Sequence, residues 1–155
     1  MANCCFVDFE IEFTSKEDKE TFFKLMENKI SECKRKDVGV YFGSESKYLF
    51  DVECSDVSDL VVGINCWVKW SITNEQMVDM LNYIISMATV KSFVVKYQEL
   101  GNLVYGKYVF ENNILKDYYL DAADILQFNG DVDAVLDNSQ LDAILDNRPP
   151  TIVKH

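Results

Sequence analysis

The chain has one histidine, His155, and that scarcity removes much ordinary catalytic chemistry. A Ser–His or Cys–His nucleophile needs a base beside it, and here only residue 155 could supply an imidazole. Structural zinc needs four Cys or His ligands at tight spacing. The five cysteines, Cys4, Cys5, Cys33, Cys54 and Cys66, contain no CxxC and lie 1, 28, 21 and 12 positions apart. The six glycines form neither GxGxxG nor GxxxxGK[ST], so the glycine-rich phosphate cradles are missing. Asn129-Gly-Asp-Val-Asp133 lacks the Gly and Glu that a calcium loop requires at its sixth and twelfth positions. No run reaches the roughly 18 apolar residues of a membrane span. Asp8, Glu10 and Glu12 interrupt the apolar stretch that a secretory signal would need. An odd number of cysteines without such a signal reads as thiols in a reducing cytoplasm. Carboxylates are plentiful, but nothing singles out an acid–base pair. The expectation is a protein that is not an enzyme and that carries no metal and no cofactor.

What is abundant is apolar surface and negative charge. Hydrophobic residues make up 48% of the 155 residues and aromatics 13%, a composition that builds a core. The net charge is −11. Residues 1–120 contribute −6 of it, and residues 121–155, under a quarter of the chain, contribute −5. The plain reading of such a balance is solubility; the sharper one is a surface that seeks basic partners and is repelled by phosphate. Val104-Tyr-Gly-Lys-Tyr-Val-Phe110 looks like an aromatic RNA-binding strand, but Lys107 stands where an aromatic is expected and no basic-Gly pair leads it. Direct nucleic-acid binding is not expected.

The patterning predicts alternating α and β elements. In residues 5–13, Cys5, Val7, Phe9, Ile11 and Phe13 share one face, opposite Phe6, Asp8, Glu10 and Glu12. That period of two is a half-buried strand. Ser15 to Asp18 resembles a capping box and opens a helix over 16–34, with Phe22, Phe23, Met26, Ile30 and Cys33 inward. Tyr48, Phe50, Val52 and Cys54 predict a second strand over 47–54, and residues 38–42 a short extra one. Val62, Ile64, Cys66, Val68 and Trp70 line a third strand at 61–70. Thr73-Asn-Glu-Gln76 is a capping box for a second helix over 74–88, with Met77, Met80, Leu81, Ile84 and Ile85 inward. Strands at 91–98, 103–110 and 114–120 follow, the last two flanking Glu111-Asn112-Asn113. The fold class is therefore α+β: a ferredoxin-like βαββαβ antiparallel sheet with two helices on one face, an added hairpin, and a short helical acidic tail. Residues 1–120 form the domain; residues 121–155 form an appendage packed on it.

The appendage carries an echo. Val132-Asp-Ala-Val-Leu-Asp-Asn138 returns nine residues later as Leu141-Asp-Ala-Ile-Leu-Asp-Asn147, within a stretch from 117 to 147 that has eight Asp and no Lys or Arg. Two copies at this period make no solenoid. They predict two short helices with apolar edges inward and Asp outward, ended by Pro149-Pro150. Asp124, Asp131, Asp133, Asp137, Asp142 and Asp146 are the candidate partner contacts; a solvated helix face is the plain alternative.

The segment Cys66-Trp-Val-Lys-Trp-Ser71, a following helix, then Val95-Lys-Tyr-Gln-Glu-Leu-Gly101 and Tyr105-Gly-Lys-Tyr-Val-Phe110, resembles the YubB ferredoxin-like domain family of phage, plasmid and integrated-element proteins. The opening Met-Ala-Asn-Cys-Cys is also similar to that family's start. The likeness spans residues 1–118. It implies the fold and a mobile-element origin, and supplies no catalytic residues. The resulting expectation is a small acidic protein of the host-cell cytoplasm that binds a protein partner stoichiometrically. That partner would be a basic, nucleic-acid-binding host defence enzyme such as a CRISPR effector, blocked by occlusion or nucleic-acid mimicry. An immunity protein or antitoxin, and a homodimeric interaction module, are the alternatives.

Overall fold

Ser15 closes the first strand and opens the first helix: its Oγ accepts the Asp18 backbone N–H at 3.1 Å. In the computed structural model, which describes residues 4–43, 48–99, 104–121, 123–124 and 138–155, the elements run in a fixed alternation. They are β1 (Cys4–Phe13), α1 (Lys16–Arg35), β2 (Leu49–Asp56), β3 (Val61–Lys69), α2 (Asn74–Met87), β4 (Val90–Glu99), β5 (Val104–Glu111) and β6 (Ile114–Leu120). A helix, here α3 (Asn138–Asp146), and a short strand, β7 (Thr151–Val153), follow. The seven strands form one sheet in the order β2-β3-β1-β4-β5-β6-β7, with every neighbouring pair antiparallel. The protein is α+β.

Alternation decides which face each side chain joins. Cys5, Val7, Phe9, Ile11 and Phe13 of β1 are buried with Val62, Ile64, Cys66 and Val68 of β3 and with Phe93 and Val95 of β4. Phe22 and Met26 of α1 and Met77, Met80, Leu81 and Ile84 of α2 complete this core, so both helices cover one face. Thr73 and Gln76 cap α2 reciprocally, at 3.0 and 3.2 Å. The β5–β6 hairpin turns through Asn112 and Asn113, both at positive φ, as the tight two-residue turn demands. No helix of the described residues is long and apolar enough to cross a membrane.

Five local expectations are corrected. In β2, Tyr48 and Phe50 do not share a face with Val52 and Cys54. A bulge shifts the register between Phe50 and Glu53, with Asp51 at φ 51°, so Leu49 is buried while Phe50 is exposed. Ile85 is 41% exposed, on the outer flank of α2. Trp70 is exposed, because at φ 67° it leaves the line of β3. Pro149-Pro150 does not end regular structure: β7 follows and pairs with β6 at the sheet edge, where an N–H missing just ahead of the strand disturbs no ladder. The extra strand at 38–42 is one bridge, Val40 to Leu49. One buried charge has no precedent in the pattern: Lys19, 4% exposed, pairs with Asp56 beside the Phe23 ring.

Candidate partner interface on the second sheet face

The second face of the sheet is divided in two. Over β5 and β6 lies α3, its Leu145 buried with Tyr105 and Leu120 and its Ile144 packed alongside Tyr118. Asp142 and Asp146 stand four residues apart, on one side of the helix. That side meets the sheet. Asp142 accepts the Tyr105 hydroxyl at 2.7 Å and Lys96 Nζ at 3.3 Å. Asp146 pairs with Lys107. Lys96 and Lys107 face each other across β4 and β5, so two adjacent carboxylates neutralise two adjacent ammonium groups. Burial and the Asp142 carboxylate push the Tyr105 phenol above its ordinary range. Below the helix, Asp124 pairs with Arg148, and Asp121 and Asp124 each donate a backbone N–H to the other's carboxylate, at 3.2 and 2.8 Å.

The sequence-predicted contacts are therefore placed as follows. Asp142 and Asp146 pair with lysines of their own chain, because Lys96 and Lys107 lie under the helix, while the Asp146 side chain stays 60% exposed. Asp124 is held by Arg148. Asp131, Asp133 and Asp137, with the first of the two tail helices, lie outside the described residues. The signal for this inward docking was present: Lys96 and Lys107 occupy the solvent-facing phase of two adjacent strands and demand counter-charge.

The other half of this face, over β2, β3 and β1, is bare of helix among the described residues. Cross-strand pairing sets its rows. Phe50 pairs with Trp67, and Trp67 with Phe6. The next row along the strands is Glu53, Asn65 and Asp8, and beyond it Glu10 stands opposite Gly63. Phe6 and Trp67 rings meet edge-on at 5.2 Å. Trp67 is 42% exposed and Phe50 47%. A cleft of about 200 Å3 runs between this half and α3, walled by Phe6, Asp8, Lys96, Gln98, Tyr105 and Asp142. Burial, then the neighbouring Glu10 charge, raise the Asp8 carboxyl above its ordinary value, against the pull of Lys96. Among the described residues no Lys or Arg lies within ion-pairing distance of Asp8, Glu10 or Glu53. Glu12, by contrast, meets Lys91 at 3.5 Å.

These groups are equipped to bind a cation and an apolar or planar surface. Among the described residues no three His, Cys, Asp or Glu side chains gather as a metal site. Burial pushes the Cys54 and Cys66 thiols up to about 12, which suppresses the reactive thiolate. Larger clefts of about 530 and 840 Å3 lie beside the β2 bulge and between α2 and β7; no imidazole lines either. His155 sits edge-on to Phe110, with Nε2 3.5 Å from Asn113. Sequence reasoning placed Phe6, Asp8, Glu10 and Trp67 on the wetter strand faces without assigning them a role. The overlooked signal was two aromatics, Phe6 and Trp67, in strand phases otherwise occupied by polar groups. Comparison of the chain with protein families, with curated proteins and with solved structures finds no match.

Proposed function

We propose that this protein acts by stoichiometric binding to a basic protein partner, and that the partner is a nucleic-acid-handling enzyme whose cationic surface it occludes. One observation carries the reading. On the second sheet face α3 pairs with Lys96 and Lys107, whereas among the described residues Asp8, Glu10 and Glu53 make no ion pair and lie beside the exposed Trp67 and Phe50. A surface of that kind attracts cations, steers a basic partner towards itself and repels phosphate. The tail then serves the fold, since its carboxylates hold α3 down.

The order β2-β3-β1-β4, with α1 and α2 on one face, supports a ferredoxin-like unit extended by β5, β6 and β7. With the likeness to YubB-type proteins, that arrangement favours a mobile-element origin and action in the host-cell cytoplasm against a defence enzyme, in the manner of an anti-CRISPR inhibitor.

The test is affinity capture from bacterial lysate followed by titration. A captured nuclease or nucleic-acid-binding enzyme whose activity falls linearly to zero near one molar equivalent supports the reading. Turnover of a substrate at substoichiometric amounts would overturn it. A cognate toxin as the captured protein would favour the immunity reading.

A further inference from the structure

We propose that the bare half of the second sheet face is a docking surface for an arginine-bearing segment of the partner, with a guanidinium group against the Phe6–Trp67 pair and Asp8, Glu10 and Glu53 as its counter-charges. This rests on the reading of the protein as a binder of a basic partner, and it adds the place and the chemistry.

Charge complementarity selects the occupant. Among the described residues three carboxylates make no ion pair: Asp8 and Glu10 stand about 7 Å apart along β1, and Glu53 lies across Asn65 of β3, about 10 Å from Asp8, while Lys96 faces Asp8 from the far side of β1. A second copy of the chain would set these carboxylates against their own equivalents in a protein of net charge −11. The chain's own residues 125–137 bring three Asp and no Lys or Arg, and so offer no counter-charge. A nucleic acid would bring phosphates to the same surface. The incoming group must be positive.

The aromatics select arginine over lysine. Trp67 and Phe6 lie in the row adjoining Glu53 and Asp8, so a side chain that reaches the carboxylates passes over rings. A guanidinium is planar and weakly hydrated. It can stack on a ring while its edge gives two parallel hydrogen bonds to a carboxylate. An ammonium is compact and strongly hydrated, and gains less from the same pair of neighbours. Burial and the Glu10 charge raise the Asp8 carboxyl more than Lys96 lowers it, so a further cation at this place would be favoured.

The experiment uses the full chain with Trp70→Phe, so that Trp67 alone reports. Oligoarginine and oligolysine peptides of equal length are titrated at about 150 mM salt, where distant charges are screened. Expected are a change in Trp67 emission with oligoarginine and an affinity about tenfold above oligolysine. Trp67→Leu, followed by titration calorimetry because it leaves no tryptophan, should bring oligoarginine down to the oligolysine level. Glu10→Gln with Glu53→Gln, at exposed positions that leave the core untouched, should weaken both peptides. Equal affinity for the two peptides, unaltered by Trp67→Leu, would overturn the inference. So would absence of peptide binding by a protein that still titrates its captured enzyme at one equivalent, an outcome that leaves the proposed function standing.

Discussion

The Tyr105 hydroxyl donates to Asp142 across 37 residues of sequence, at 2.7 Å, and ties α3 to the start of β5. The same carboxylate meets Lys96. The second copy of the repeated acidic, apolar-edged turn is thus held to its own sheet.

Removal of that contact has a measurable consequence. Asp142→Ala leaves the part-buried Tyr105 hydroxyl without this acceptor, and the expected loss is about 1–2 kcal/mol. The Lys96 pair adds little, because both side chains keep solvent contact. Hydrogen exchange should show faster amides in residues 138–146 with β1 and β3 unchanged. In a double-mutant cycle, Tyr105→Phe and Asp142→Ala should be non-additive; additivity would show that the bond contributes nothing.

Gly106 is required by its neighbours and not by its backbone angles. A Cβ there would stand 2.6 Å from the Tyr118 carbonyl oxygen and closer still to the Tyr97 ring, which crosses Gly106 to reach Asp117 at 3.1 Å. Gly106→Ala should cost about 3 kcal/mol, at the upper end of overpacking penalties, because a carbonyl in a paired strand cannot retreat. Thermal unfolding measures it; a midpoint equal to the parent's would refute the geometry.

Asp117 makes stability depend on pH in a defined direction. Burial raises its carboxyl above the ordinary value, and the Tyr97 hydrogen bond only partly opposes this. A raised folded-state pKa gives stability that is complete below the unfolded carboxyl range and lost as pH climbs through the folded value. Asp117→Asn keeps an acceptor for Tyr97 and removes the charge. Its unfolding midpoint relative to wild type should therefore be higher at about pH 7 than at about pH 4, the latter near the unfolded Asp value. A difference that does not vary with pH would contradict the assignment.

Much of the fold was legible because most strands obey one rule without interruption. From Cys5 to Phe13 every second residue is buried, as is the Val62 to Val68 series, and both helix caps form where their residues predict. The failures share a cause: a departure from regular geometry that no periodicity encodes. The β2 bulge at Asp51 reverses the phase of Tyr48 and Phe50. β7 is three residues long, too short for a pattern, and sits behind two prolines. The docking of α3 depends on Lys96 and Lys107 becoming neighbours, a fact of strand pairing. For the same reason the candidate interface was invisible: Phe6, Trp67 and Phe50 are adjacent only once three strands align.

The central claim is that the partner meets the β1–β3 face and not the tail. The direct measurement is the affinity of the captured partner for two charge-reversed proteins. One carries Glu10→Lys and Glu53→Lys; the other carries Asp131→Lys, Asp133→Lys and Asp137→Lys. The first should lose at least about tenfold in affinity, since each placed like charge opposes a basic partner, while the second should bind within about twofold of wild type. A tail variant that loses binding while the face variant keeps it would contradict the account.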